Sequence, residues 1–135
     1  MPFCIKKSFP KPITEIKTIA FIVPCGSPKI YRKWNAIWDT GATNTFISET
    51  AVTYLGLSEI TFKEVEGASG VFSTPGFYVD IYLEGDYLLS KQTVFQYKPS
   101  SGGMWDIIIG MDIINLGNFS LIHGETESYF SFDVF

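Results

Sequence analysis

The chain contains one histidine, His123, and two cysteines, Cys4 and Cys25, among 135 residues. A metal centre built on several histidines is therefore excluded. The cysteines have no Cys-x-x-Cys spacing and form no recognisable zinc or redox motif, so neither metal nor cofactor is expected. They read as buried free thiols in a reducing compartment, with a single disulfide as the alternative. His123 has no Gly-x-Ser-x-Gly segment to serve, which leaves a Ser-His-Asp triad unsupported and predicts a surface histidine at a strand end. Long apolar runs are also missing. Ile19 to Val23 is too short to span a bilayer, and Pro10, Pro12, Glu15 and Lys17 break up the stretch after Lys6 and Lys7 where a secretory signal would need its apolar core. A cytoplasmic protein without a membrane partner is expected.

Charge is sparse, at 18% of residues, and the net charge of −4 argues against nucleic acid as a partner. Its distribution is uneven. Seven of the ten basic residues precede Trp34 and thirteen of the fourteen acidic ones follow it. Either a solvated basic edge that discourages strand pairing or a basic arm that meets a partner's acidic body would read this way. Asp80, Glu84 and Asp86 match no cation-binding loop and are expected as exposed acids at strand ends.

What is abundant is apolar and aromatic: 46% hydrophobic and 16% aromatic residues. With frequent Val, Ile and Thr, this composition suits pleated, half-buried surfaces and predicts an all-β fold. There is no repeat, low-complexity tract or interdomain linker, so residues 1–135 read as one domain. Residues 1–13, with three prolines, read as an extended arm with at best a short strand. Strands are predicted over Ile16 to Val23, Lys33 to Trp38, Thr45 to Ser48, Ile60 to Glu66, Phe77 to Leu83, Leu88 to Tyr97, Asp106 to Ile109, Phe119 to Ile122 and Ser128 to Val134. Asp106 to Ile109 is continuously apolar after its first residue and should be buried on both faces. Short helices are predicted over Glu49 to Leu55, with Ser48 as N-cap and Gly56 at the far end, and over Met111 to Leu116. So many short strands with one or two helices imply a closed, barrel-like fold.

The chemistry concentrates in Ala36-Ile37-Trp38-Asp39-Thr40-Gly41-Ala42-Thr43, an apolar strand that runs into Asp-Thr-Gly. All three residues form turns readily, so an ordinary turn with a capping Asp is one reading. Two further segments favour the other. Glu66-Gly67-Ala68-Ser69-Gly70-Val71 has the glycines of a hairpin tip, and Ile107-Ile108-Ile109-Gly110-Met111-Asp112 is a buried strand that ends at a glycine before a helix.

In these three segments, and in their order, the chain resembles the retropepsin-like aspartic proteases, with the resemblance covering about residues 34 to 117. It implies a closed acid-protease fold, a homodimer, and an aspartic endopeptidase that cleaves extended peptide or protein substrates without metal or cofactor. Asp39, Thr40 and Gly41 would form the catalytic loop. Gly67, Ala68, Ser69 and Gly70 would form the flap over the substrate, and Ile108, Ile109 and Gly110 would support the loop from beneath. The chain supplies Asp-Thr-Gly once, so two copies would be needed for a pair of carboxylates. Gly41 would let the backbone turn sharply, and Pro75 favours a bulge or an early end to the flap hairpin. Met111-Asp112 departs from the Arg followed by Asn or Asp of retroviral members, which brings the chain closer to bacterial and cellular ones. Asp112 reads as a carboxylate at a helix N-terminus. The C-terminal strand is long, which implies a dimer sheet built differently from theirs. The alternative is a domain of the same fold that binds peptides or dimerises without catalysis.

Overall fold

The computed structural model describes residues 2–67, 70–97 and 105–134. Its strands are β1 (Phe3–Pro10), β2 (Lys17–Pro24), β3 (Trp34–Trp38), β4 (Phe46–Ser48), β5 (Thr61–Gly67), β6 (Gly70–Leu83), β7 (Tyr87–Tyr97), β8 (Ile107–Ile109), β9 (Asn118–His123) and β10 (Glu127–Val134). Two short helices, α1 (Glu49–Leu55) and α2 (Met111–Ile114), complete the described elements.

Seven strands form one sheet in the order β2-β3-β8-β4-β7-β6-β5, and β2 also pairs with β6. That second pairing closes the sheet into a barrel, as the number of short strands implied. β5 lies outside the closure, so the β5–β6 hairpin projects from the barrel wall. Alternation along β3 buries Trp34, Ala36 and Trp38, while along β6 it buries Phe77, Val79, Ile81 and Leu83. These residues and Ile107 and Ile109 fill one core.

The remaining sheet has the order β1-β10-β9. The N-terminal arm is thus a full strand, paired with β10 from Phe3↔Val134 to Pro10↔Glu127. Phe130 and Phe132 of β10 point inward, with ring centroids 5.2 and 4.8 Å from Trp38. Trp38 also donates its indole N–H to Thr18 Oγ1 at 2.9 Å. The residue just before Asp39 is therefore wedged between the barrel and the terminal sheet, and its polar edge is satisfied.

α1 forms where its end signals predict. Ser48 Oγ accepts from Ala51 N at 3.1 Å, and Gly56 closes the helix at φ 62°. α2 is shorter than expected and stops at Ile114. Pro75 neither ends nor bulges the hairpin, because the ladder runs through Phe62↔Pro75 to Thr61↔Gly76. Up to Pro75, β6 pairs only with β5, an edge position that tolerates a residue without an N–H. The irregularity falls instead between Val79 and Ile81.

Other expectations are corrected by burial and pairing. Ile108 is only half-buried, whereas Ile107 and Ile109 are fully enclosed. Cys4 and Cys25 are free but exposed rather than buried. A hydrogen bond to Asp133 holds the Cys4 thiol above its usual pKa. Asp80 is 7% exposed, not a solvated strand-end acid. It accepts hydrogen bonds from Gly26 N at 3.0 Å and Lys91 N at 2.8 Å, tying the turn after β2 and the irregular part of β7 to β6. The basic N-terminal third is partly used within the chain. Lys7 pairs with Glu84 at 3.1 Å and Lys29 pairs with Asp86, while Lys29 Nζ also lies over the rings of Phe21, Tyr31 and Tyr82. No helix among the described residues is long and apolar enough to cross a membrane.

Candidate functional site

β3 and β8 run side by side in parallel, with Trp38 opposite Ile109, so the loops that follow them emerge together. Asp39 N donates to Ile109 O at 2.9 Å, continuing the ladder for one residue past β3. The chain then turns at once, with Ala42 N donating to Asp39 O at 3.2 Å. Gly41 N donates to the Asp39 carboxylate at Oδ1, at 2.8 Å. Among the described residues no other hydrogen bond reaches that carboxylate. One oxygen is oriented and the other is open to solvent or substrate.

Gly41 is not in the left-handed region, so a sharp turn is not what requires glycine here. A Cβ at this position would lie 3.2 Å from Asp39 Oδ1 and crowd the carboxylate it orients. Asp39, Thr40 and Gly41 are all exposed, directly after a strand whose final residue is buried. The core thus delivers a fixed carboxylate to the surface.

Beneath the loop, Met111 N donates to Ala42 O at 2.7 Å and Asp112 N to Thr43 O at 3.2 Å. Gly110 lies so close that a Cβ there would come within 2.3 Å of Asn44 O and 2.8 Å of Ala42 O. Its backbone is extended, at φ −96° and ψ −174°, so contact rather than conformation demands the glycine. Ile109 meets the loop through the bond from Asp39 N, and Gly110 through its closeness to Asn44 and Ala42, whereas Ile108 pairs with Ile37 and Phe46 in the sheet.

Sequence reasoning missed Thr45, which is fully buried. Its hydroxyl donates to Asp112 Oδ1 at 2.7 Å and accepts from Gly110 N at 3.1 Å, while its N–H donates to Asp112 Oδ2 at 3.0 Å. Asp112 does stand in the first turn of α2. Its larger role is to clamp the end of the Asp39 loop to the α2 start, which the spacing of single residues does not reveal. Replacing Asp112 by alanine leaves the Thr45 donors without their acceptor, at a cost of about 2 kcal/mol. Chemical denaturation measures it, and a loss below about 0.5 kcal/mol would mean that water substitutes for the carboxylate.

The β5–β6 hairpin pairs from Thr61↔Gly76 to Gly67↔Gly70. Gly67 and Gly70 thus close its described end, with Gly70 at φ 113°. Ala68 and Ser69 lie outside the described residues. Between the Asp39 loop and β5 is a cleft of about 330 Å³, bounded by residues 41–44, Phe46 and residues 63–66. His123 is exposed, with Nδ1 2.7 Å from Ser128 Oγ, remote in fold from this cleft.

The sequence matches no protein-family model and no curated protein. The fold matches that of a retropepsin-like aspartic protease from Rickettsia conorii, with a TM-score of 0.62 and 9% identity over 100% of this chain and 97% of that one. It is similar also to the EIAV protease solved with the inhibitor HBY-793, with a TM-score of 0.57 and 19% identity over 78% of this chain and 89% of that one. Simian foamy virus (mac) protease gives a TM-score of 0.52 and 17% identity over 74% and 92% of the two chains. The chain has the retropepsin-like fold.

Proposed function

We propose that this chain is an aspartic endopeptidase that acts as a homodimer, with Asp39 of each copy supplying one carboxylate. The observation that carries the reading is the exposed Asp39 carboxylate, oriented by Gly41 N at 2.8 Å on a loop clasped by Ile109, Met111 and Asp112. A fold built to present one rigid carboxylate at its surface has made half of an acid–base pair.

In the assembled site the two Asp39 side chains share one proton, since two carboxylates about 3 Å apart do not both ionise. The charged one takes a proton from a water lying between them as that water attacks the peptide carbonyl. The protonated one hydrogen-bonds the carbonyl oxygen, and a proton then passes to the leaving nitrogen. The apparent pKa values belong to the pair. Thr40, exposed beside Asp39, bonds across the two-fold axis to the partner loop. The β5–β6 hairpin serves as the flap, closing over an extended peptide and excluding water.

Digestion of an undirected peptide library, with sedimentation of the same sample at micromolar concentration, tests the reading. Cleavage by a dimer is expected. A stable dimer that cleaves nothing removes the catalytic reading, and a monomer that cleaves removes the dimeric one.

A further inference from the structure

Alternation along β5 sorts its side chains between the two faces of the hairpin. Lys63 and Val65 share a face with Thr74 and Phe72, their register partners on β6, while Glu64 and Glu66 share the other with Ser73 and Val71. Lys63 and Val65 are half-buried, whereas Glu64 and Glu66 are exposed, so the first pair faces the Asp39 loop. Lys63 reaches that loop directly. Its ammonium donates to Asn44 Oδ1 and lies 5.4 Å from the centroid of the Phe95 ring.

Both partners are neutral, and among the described residues no carboxylate lies within ion-pair distance of Lys63. An ammonium carries three donors, so two remain after Asn44 is served. The side chain is held by the loop and the ring, its charge has no counter-ion among the described residues, and it borders the cleft that begins at Gly41. Glu64 and Glu66 contribute to the rim of that cleft, but their side chains belong to the outer face of the hairpin.

We propose that Lys63 is a specificity-determining residue and that this cleft takes a carboxylate side chain, aspartate or glutamate, of the bound peptide. The inference rests on the protease reading and sharpens it: the extended peptide substrate carries an acidic residue at one position near the scissile bond. The carboxylate meets the free donors of Lys63 in a half-buried site, where a charge-assisted hydrogen bond outweighs one to water. Lysine or arginine at the same position meets a like charge.

Binding to the full-length Asp39→Asn chain separates recognition from cleavage. The probes are blocked, fluorescently labelled octapeptides of Leu, Phe and Ala, with Glu, Gln or Lys substituted at each position in turn. At one position Glu is expected to bind about three- to tenfold more tightly than Gln, and Lys more weakly than either. Adding Lys63→Met should bring the Glu-to-Gln ratio to about one, Lys63→Arg should retain the preference, and Lys63→Glu should turn it toward Lys. The proposal is overturned if no position prefers Glu to Gln, or if the preference survives Lys63→Met. Cleavage by the wild-type chain with no acidic preference removes this pocket and leaves the protease reading standing. An acidic preference in a wild-type chain that cleaves nothing does the reverse, and failure to bind any of the peptides removes this pocket, with the protease reading falling too only where the wild-type chain cleaves none of them.

Discussion

Asp39→Asn is expected to lower peptide cleavage by about 10²- to 10⁴-fold while leaving the fold intact. Asparagine keeps the shape of aspartate, so Gly41 N can still donate to Oδ1, and the bond from Asp39 N to Ile109 O involves only backbone. The side chain is exposed and takes part in no ion pair among the described residues, so thermal stability should change by no more than about 0.5 kcal/mol. The chemistry is affected more severely, because one substitution removes both carboxylates of the proposed homodimeric site. Neither a general base nor its protonated partner remains. Comparison of kcat/KM and melting temperature for the two proteins checks the prediction. Unchanged cleavage would mean that Asp39-Thr40-Gly41 is a turn and nothing more.

Gly110→Ala should damage the structure severely. The added methyl would sit 2.3 Å from Asn44 O and 2.6 Å from Asn44 C, and these are backbone atoms that cannot swing aside as a flexible side chain does. Either β8 or the Asp39 loop must move. If β8 moves, the barrel core around Ile107 and Ile109 opens. If the loop moves, the bonds from Met111 N to Ala42 O and from Asp112 N to Thr43 O are lost. Overpacking of this kind destabilises by about 3 kcal/mol, a fall in melting temperature on the order of 10 °C. Activity should fall further than stability does, because the displaced loop carries Asp39. A variant that melts within about 2 °C of the wild type would show that the loop is not packed on this glycine.

The sequence disclosed those parts of the fold whose causes are local. α1 was legible because Ser48 and Gly56 mark its ends chemically. β3 and β8 were legible because short apolar runs meet a turn or a glycine, and the candidate site was legible because Asp39-Thr40-Gly41 and Ile108-Ile109-Gly110 are contiguous strings. Features that depend on distant partners were not. β1 ends at Pro10 and is flanked by Pro2 and Pro12, which suggest an arm, and it becomes a strand only because β10 lies beside it. β6 begins at Gly70, across Pro75, because β5 supplies the ladder there.

Polar residues were the least readable. Asp80 meets two backbone donors from separate elements, Gly26 in the turn after β2 and Lys91 in β7, and no periodicity encodes that meeting. Thr45 looks like any strand-edge threonine until Asp112 and Gly110 converge on it. Lys63 offered no signal, since its significance lies in facing Asn44 and Phe95 from another strand. Burial of the two cysteines was expected from residue type, yet both are exposed, with Cys4 on the outward-facing register of β1.

The most direct test mixes wild-type and Asp39→Asn chains at fixed total concentration, with time for subunits to exchange. If each active site takes one Asp39 from each of two copies, a mixed dimer has a single carboxylate and is inactive. Activity then follows the square of the wild-type fraction, and an equal mixture retains about a quarter of the wild-type rate. A value of about half, falling linearly with the wild-type fraction, would mean that each chain holds a complete site and would contradict the shared pair.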